Sequence, residues 1–137
     1  PQEKVLEVGT GSGYQCSILV AMGARVFSIE RHKSLYEKIK KILNSLGYKA
    51  RLQFGDGYKG MPGFAPFDKI LITAAAPVIP EELIKQLKVG GSMVIPIGDD
   101  KNQEMSRVKK INESNEIEIE TFGKFQFVPM LPDKSRD

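Results

Sequence analysis

The sequence predicts an α/β domain: a doubly wound, mostly parallel sheet that ends in an antiparallel C-terminal edge. Three observations carry that expectation. Short apolar runs alternate with helix-type periodicity through most of the chain. The first run, Val5-Leu6-Glu7-Val8, passes straight into Gly9-Thr10-Gly11-Ser12-Gly13, a buried strand entering a glycine turn and then a helix. The C-terminal part then exchanges the helical period for strict alternation of apolar and acidic residues, as in Ile117-Glu118-Ile119-Glu120.

Taken in order, residues 5–8 are the first strand and residues 14–22 a helix that Gly23 ends. Residues 25–29 form a second strand, short and mostly apolar as buried parallel strands are. Residues 34–46 are the clearest helix: Leu35, Ile39, Ile42, Leu43 and Leu46 keep a 3.6-residue period, and Gly47 supplies the stop. Lys38, Lys40 and Lys41 fall largely off that stripe and read as a solvated face. Residues 51–54 are the third strand, followed by a glycine-rich loop. Residues 69–73 are almost purely apolar and so a central fourth strand. A short helix follows, with Pro80 at its first turn, Glu81 and Glu82 at its positive end, and Lys88-Val89-Gly90-Gly91 closing it. Residues 92–97 are the fifth strand. Residues 105–111 and 117–122 flank Asn112-Glu113-Ser114-Asn115, a hairpin turn, and complete the antiparallel edge.

Composition bounds the function. The chain has 137 residues, 41% of them hydrophobic, enough for one domain over 1–137 with a real core. Lysine and arginine number 20 against 17 acids, and the net charge of +3 is too mild and too scattered for a nucleic-acid partner. No apolar run approaches the ~20 residues that span a bilayer, so no membrane role is expected. The single cysteine, Cys16, precludes an intrachain disulfide and fits a reducing, cytoplasmic setting. It reads as a packing residue at the start of a helix. His32, the only histidine, reads as a surface or capping residue, and no His/Cys/Asp cluster has metal-ligand spacing. A monomer is expected.

The chemistry sits at three strand ends. A glycine turn alone is a weak signal, because many nucleotide-binding folds have one. Here the spacing is Gly-x-Gly-x-Gly, preceded by Glu7. A carboxylate beside a pyrophosphate is repulsive, whereas one beside an ammonium or sulfonium is attractive. The turn Gly9-Thr10-Gly11-Ser12-Gly13 with Glu7 therefore fits S-adenosylmethionine, and its product S-adenosylhomocysteine, better than a nicotinamide dinucleotide. Glu30 closes the second strand, where a carboxylate accepts from both ribose hydroxyls and repels a 2′-phosphate. Asp56, between Gly55 and Gly57 after the third strand, is placed to accept from the exocyclic amine of an adenine.

With these residues on the page, the chain resembles the protein-L-isoaspartate O-methyltransferase family. The run from Val5 to Gln15 resembles that family's first cofactor motif, and Ser28-Ile29-Glu30-Arg31 its second. Gly55-Asp56-Gly57, Ala65-Pro66-Phe67-Asp68, Thr73-Ala74-Ala75-Ala76-Pro77, Gln86-Leu87-Lys88-Val89-Gly90-Gly91 and Ile95-Pro96-Ile97-Gly98 follow in family order. Phe127-Val128-Pro129-Met130 resembles its substrate segment. The resemblance implies a class I S-adenosylmethionine-dependent methyltransferase fold. It carries cofactor contacts onto Gly9, Gly11, Ser12, Glu30, Arg31, Asp56 and Gly57, and places Val128 and Pro129 along the groove for isoaspartyl-containing proteins and peptides.

The resemblance also implies the reaction: methyl transfer to the free carboxylate of an isoaspartyl residue, giving an ester that collapses to a succinimide and reopens in part as aspartate. Two departures stand out. Asp133-Lys134-Ser135-Arg136-Asp137 does not match the family's end. The family's Thr-Ile-Ser-x-Pro-like stretch, which holds its active-site serine, has no counterpart ahead of Val5. The expectation is an N-terminally truncated domain that binds cofactor weakly and turns over poorly by itself, its catalytic group lying outside this sequence. Three rivals remain from the residues. One is a methyltransferase acting on RNA or a small molecule, although an adenine-N6 enzyme would need an Asp-Pro-Pro-Tyr-like run where Thr73-Ala74-Ala75-Ala76-Pro77 stands. The others are a dinucleotide oxidoreductase and a non-catalytic methyltransferase-like binding module.

Overall fold

A computed structural model describes residues 3–9, 23–45, 47, 50–73, 76–98 and 103–125. Seven strands make one sheet: β1 (Lys4–Val8), β2 (Arg25–Glu30), β3 (Arg51–Phe54), β4 (Phe67–Ile72), β5 (Leu87–Gly98), β6 (Gln103–Lys110) and β7 (Ile117–Phe125). Their order is β3-β2-β1-β4-β5-β6-β7. The pairs β1–β2, β1–β4, β2–β3 and β4–β5 are parallel, and β5–β6 and β6–β7 are antiparallel. Two helices are described, α1 (Lys33–Ser45) and α2 (Glu81–Lys85). The doubly wound, mostly parallel sheet with an antiparallel edge is thus the observed architecture. The helix expected at 14–22 lies outside the described residues.

The strands alternate their contacts as a pleat requires. Leu6, Val8, Phe27, Ile29, Ile70, Ile72, Met93 and Ile95 face one side and join Leu83 and Ile84 of α2 in the main core. Each such side chain removed from water contributes about 1.5–3 kcal/mol. On the other face, Val26 meets Ile39 and Leu43 of α1 in a smaller cluster. Helices on both faces are what winds the sheet doubly. The α1 stripe is narrower than its periodicity predicts. Leu35 and Ile42 are 37% and 41% exposed, because the helix rides over β2 and the short edge strand β3, which offers little surface to cover it. Lys38, Lys40 and Lys41 are exposed, as expected.

One expectation is overturned. Lys88-Val89-Gly90-Gly91 does not close the helix after β4. That helix, α2, ends at Lys85, with Gln86 as its cap, and β5 begins at Leu87. Leu87 pairs with Phe67 and Ser92 with Lys69, so these four residues bulge opposite Asp68 alone. The glycines serve the bulge: Gly90 has φ +85°, and a Cβ on Gly91 would stand 2.8 Å from the Asp68 carbonyl oxygen. Asp68 ties the bulge down, accepting from Lys88 Nζ at 3.1 Å and from the Lys4 N–H at 2.8 Å. Those two bonds, the Lys4 one foremost, hold its carboxyl below the usual range. Strand ends elsewhere shift by up to three residues, the largest at the end of β7. The hairpin after β6 turns at Asn112-Glu113-Ser114-Asn115, with Asn115 at φ +63° and the Asn112 side chain accepting from the Ser114 N–H.

Candidate cofactor site at the carboxyl edge

The order β3-β2-β1-β4-β5 has a switch point. From β1 the chain builds outward through β2 to β3, then crosses back to place β4 on the other flank of β1. In open sheets the connections diverge at such a point, and ligands bind outside the carboxyl ends of the strands, here those of β1 and β4. Gly9 follows β1, Glu30 closes β2, Asp56 lies just past β3 and Thr73 follows β4.

Backbone bonds knit these ends together. Gly9 N–H donates to Ile29 O at 2.8 Å, Gly55 N–H to Glu30 O at 3.1 Å, and Thr73 N–H to Val8 O at 3.3 Å. Gly9 has φ +91°, and a Cβ there would meet Thr73 Oγ1 at 2.6 Å. Both facts demand glycine: the left-handed backbone strains any other residue, and no room exists for a side chain.

Glu7 sits on the face of β1 opposite Leu6 and is fully buried. Its register partner on β2 is Ser28, whose hydroxyl donates to Glu7 Oε1 at 2.8 Å. Glu7 Oε2 has no hydrogen-bond partner among the described residues. Burial pushes the carboxyl up to about 7; the Ser28 bond works against that shift, and the like charge of Glu30 adds to it. Glu30, 3% exposed, is held by the turn that follows, its Oε2 accepting from the His32 N–H at 3.0 Å. Arg31 Nη1 lies 3.1 Å from His32 Nε2. Glu7, Ser28 and Glu30 share one face of the sheet and lie side by side below the edge.

Asp56 caps a 3-10 turn, Gly57–Lys59, its Oδ1 accepting from the Tyr58 N–H at 2.9 Å. Burial, with the Asp56 charge, pushes the Tyr58 phenol up. The loop is pinned from the far side by Gln86, which is almost fully buried. Its amide accepts from Met61 N–H at 2.9 Å and donates to Lys59 O at 2.9 Å. Gly60, at φ +60°, packs so closely that a Cβ would collide with that amide.

The structure therefore brings Glu7, Gly9, Glu30, Arg31, Asp56 and Gly57 to one edge of the sheet. Thr10, Gly11, Ser12, Gly13, Val128 and Pro129 lie outside the described residues. Sequence reasoning assigned no role to Ser28, Thr73 or Gln86. Ser28 had a signal: a lone polar residue in the buried run Val26-Phe27-Ser28-Ile29 needs a polar partner, and Glu7 is the polar residue in the neighbouring run. Among the described residues, no group of three His, Cys, Asp or Glu could hold a metal. The cradle without Cβ at Gly9 and the unmatched Glu7 oxygen fit a cofactor with a close-packed, cationic end.

A sheet of this order, with a glycine-rich run after β1 and an acid closing β2, defines the class I methyltransferase type. The sequence matches the family Protein-L-isoaspartate(D-aspartate) O-methyltransferase (PCMT) over residues 1–135, and the chain belongs to that family. It is 58% identical over 131 residues to the protein-L-isoaspartate O-methyltransferase of Cytophaga hutchinsonii, a match covering 96% of this chain and 59% of that protein. The chain spans about three fifths of the length of the curated relatives it matches. A solved protein-L-isoaspartate O-methyltransferase superposes with a TM-score of 0.85 at 29% identity, covering 93% of this chain and 41% of that one. A Plasmodium falciparum protein described as of the same kind, solved with S-adenosyl-L-homocysteine, shares the fold with a TM-score of 0.79 at 23% identity. That match covers 94% of this chain and 66% of the other. No helix of the described residues is long and apolar enough to cross a membrane.

Proposed function

We propose that this protein binds S-adenosylmethionine at the carboxyl edge and methylates the free carboxylate of isoaspartyl residues in damaged polypeptides, working as a cytoplasmic monomer. The observation that carries the reading is the alignment of Gly9, Glu30 and Asp56 at three successive strand ends, within a chain matched to the family over residues 1–135. Glu30, fixed by the His32 N–H, accepts from the ribose hydroxyls. The Asp56 oxygen that does not cap Tyr58 accepts from the adenine amine. The Glu7 carboxyl, pushed up to about 7 and bonded to Ser28, stands two residues ahead of Gly9, and Arg31, Gly57 and the run Thr10-Gly11-Ser12-Gly13 complete the contacts.

When bound, the cofactor supplies a methyl group on a cationic sulfur, so the leaving group is already activated. The acceptor carboxylate has a reference pKa of roughly 3.5 and is ionised near pH 7. The chain therefore needs to supply no general base, and Glu30, Asp56 and the glycine turn work by holding the donor in line and excluding water. Positioning of that kind is worth up to about 7–11 kcal/mol. Val128 and Pro129 would line the peptide groove.

The test is transfer of labelled methyl from S-adenosylmethionine, with a protein spanning its relatives' length. Acceptors are an isoaspartyl peptide, its aspartyl isomer and bulk RNA. Label confined to the isoaspartyl peptide is expected. Equal label in both peptides, or label in the RNA, defeats the substrate assignment, and binding without any transfer supports the non-catalytic module instead.

A further inference from the structure

Thr73 follows β4 directly at the switch point, and its side chain is exposed there. Its hydroxyl lies 3.2 Å from Val8 O and 3.1 Å from Gly9 O. One hydroxyl proton is thus shared between two carbonyls, the last of β1 and the first of the glycine turn. Its backbone N–H also donates to Val8 O. The Gly9 carbonyl lies beyond the strand and needs a donor from elsewhere, while Val8 O gains a second donor in the hydroxyl. Water can serve in an open crevice, but a ligand filling the crevice displaces it. The same Thr73 oxygen stands 2.6 Å from the place a Gly9 Cβ would take, so it packs directly against the residue whose φ of +91° starts the turn.

We infer that Thr73 is a positioning residue for the cofactor. Its hydroxyl clamps the Val8 and Gly9 carbonyls, fixing the direction in which the glycine turn leaves β1, and so sets affinity without taking part in transfer. The inference rests on the cofactor reading above. Two substitutions separate the hydroxyl from the space it fills: Thr73→Val keeps the shape and removes the donor, and Thr73→Ser keeps the donor.

The experiment measures S-adenosylhomocysteine binding by calorimetry, ligand-free thermal midpoints, and methyl-transfer kinetics on a protein spanning its relatives' length. Loss of one clamping bond corresponds to up to about tenfold in affinity. Thr73→Val is expected to bind about tenfold more weakly, with KM for the methyl donor raised and kcat held, while Thr73→Ser stays within about twofold of the parent. Thr73→Val binding as tightly as the parent overturns the clamp. So does Thr73→Ser binding as weakly as Thr73→Val, or a matching fall in thermal midpoint that accounts for the loss. A parent protein that takes up no S-adenosylhomocysteine refutes the cofactor reading itself, a distinct failure.

Discussion

The Glu7 carboxyl has left water entirely for a sheet interior where Ser28 Oγ is its described partner. Its folded value of about 7, against an ordinary 4.5, means the folded chain holds this proton more tightly than the unfolded chain does. Its stabilising contribution is therefore complete below about pH 4.5 and is lost as pH rises through about 7, amounting to about 3 kcal/mol. Asp68 runs the other way, its depressed carboxyl giving up stability only as pH falls below the ordinary range. The two windows do not coincide. Glu7→Gln keeps an acceptor for Ser28 and cannot ionise, so its thermal midpoint should stay flatter between pH 5 and 8 than the parent's, as followed by circular dichroism. Parallel pH profiles would contradict this account of Glu7. At this scale the sequence was legible where a residue broke its local pattern: an acid inside an apolar strand, glycines at alternate positions, an acid closing a strand. Thr73 is an ordinary residue in sequence, and Ser28 signals only that it needs a polar partner. Their roles depend on strands some 65 and 21 positions away.

Among the elements, the loop carrying Asp56 depends on a residue in a different part of the chain. Gln86 answers both Met61 N–H and Lys59 O, and Gly60 leaves space for nothing else. Gln86→Leu leaves that donor and that acceptor unmatched in the interior, a cost of about 1–3 kcal/mol for each group that water does not reach. Urea unfolding should show a loss of about 2–4 kcal/mol, and hydrogen exchange should quicken in residues 57–64 ahead of the central strands. Unaltered exchange in that loop would mean the amide does not anchor it. Helix and strand periods were enough to find α1, the hairpin and the alternation of elements. They could not tell a helix stop from a β-bulge, since Gly90-Gly91 suits both, and only the backbone of Asp68 across the sheet decides. Nor could the period of α1 say how much of its stripe the sheet would cover. That depends on β3 being a short edge strand.

For the molecule as a whole, topology determines where chemistry can occur. The reversal of strand order beside β1 makes a switch point at one edge, where sheets of this kind bind ligands, and Glu7, Glu30 and Asp56 gather toward that edge. The opposite end carries instead two ion pairs, Lys69 of β4 with Glu3 and Lys88 of β5 with Asp68. Such a distribution suits a cofactor with a cationic end and an uncharged sugar. It also explains why three separated motifs could be read as one site from sequence: each sits where a parallel strand runs out, and parallel strands all run out on the same side. The most direct test is a crystal structure with S-adenosylhomocysteine. The ribose hydroxyls should lie within hydrogen-bond distance of the Glu30 carboxylate, with the adenine against the Asp56 loop and the sulfur end over the Gly9 turn. A ligand ordered anywhere else on the sheet, with its ribose away from the Glu30 carboxylate, would contradict the account.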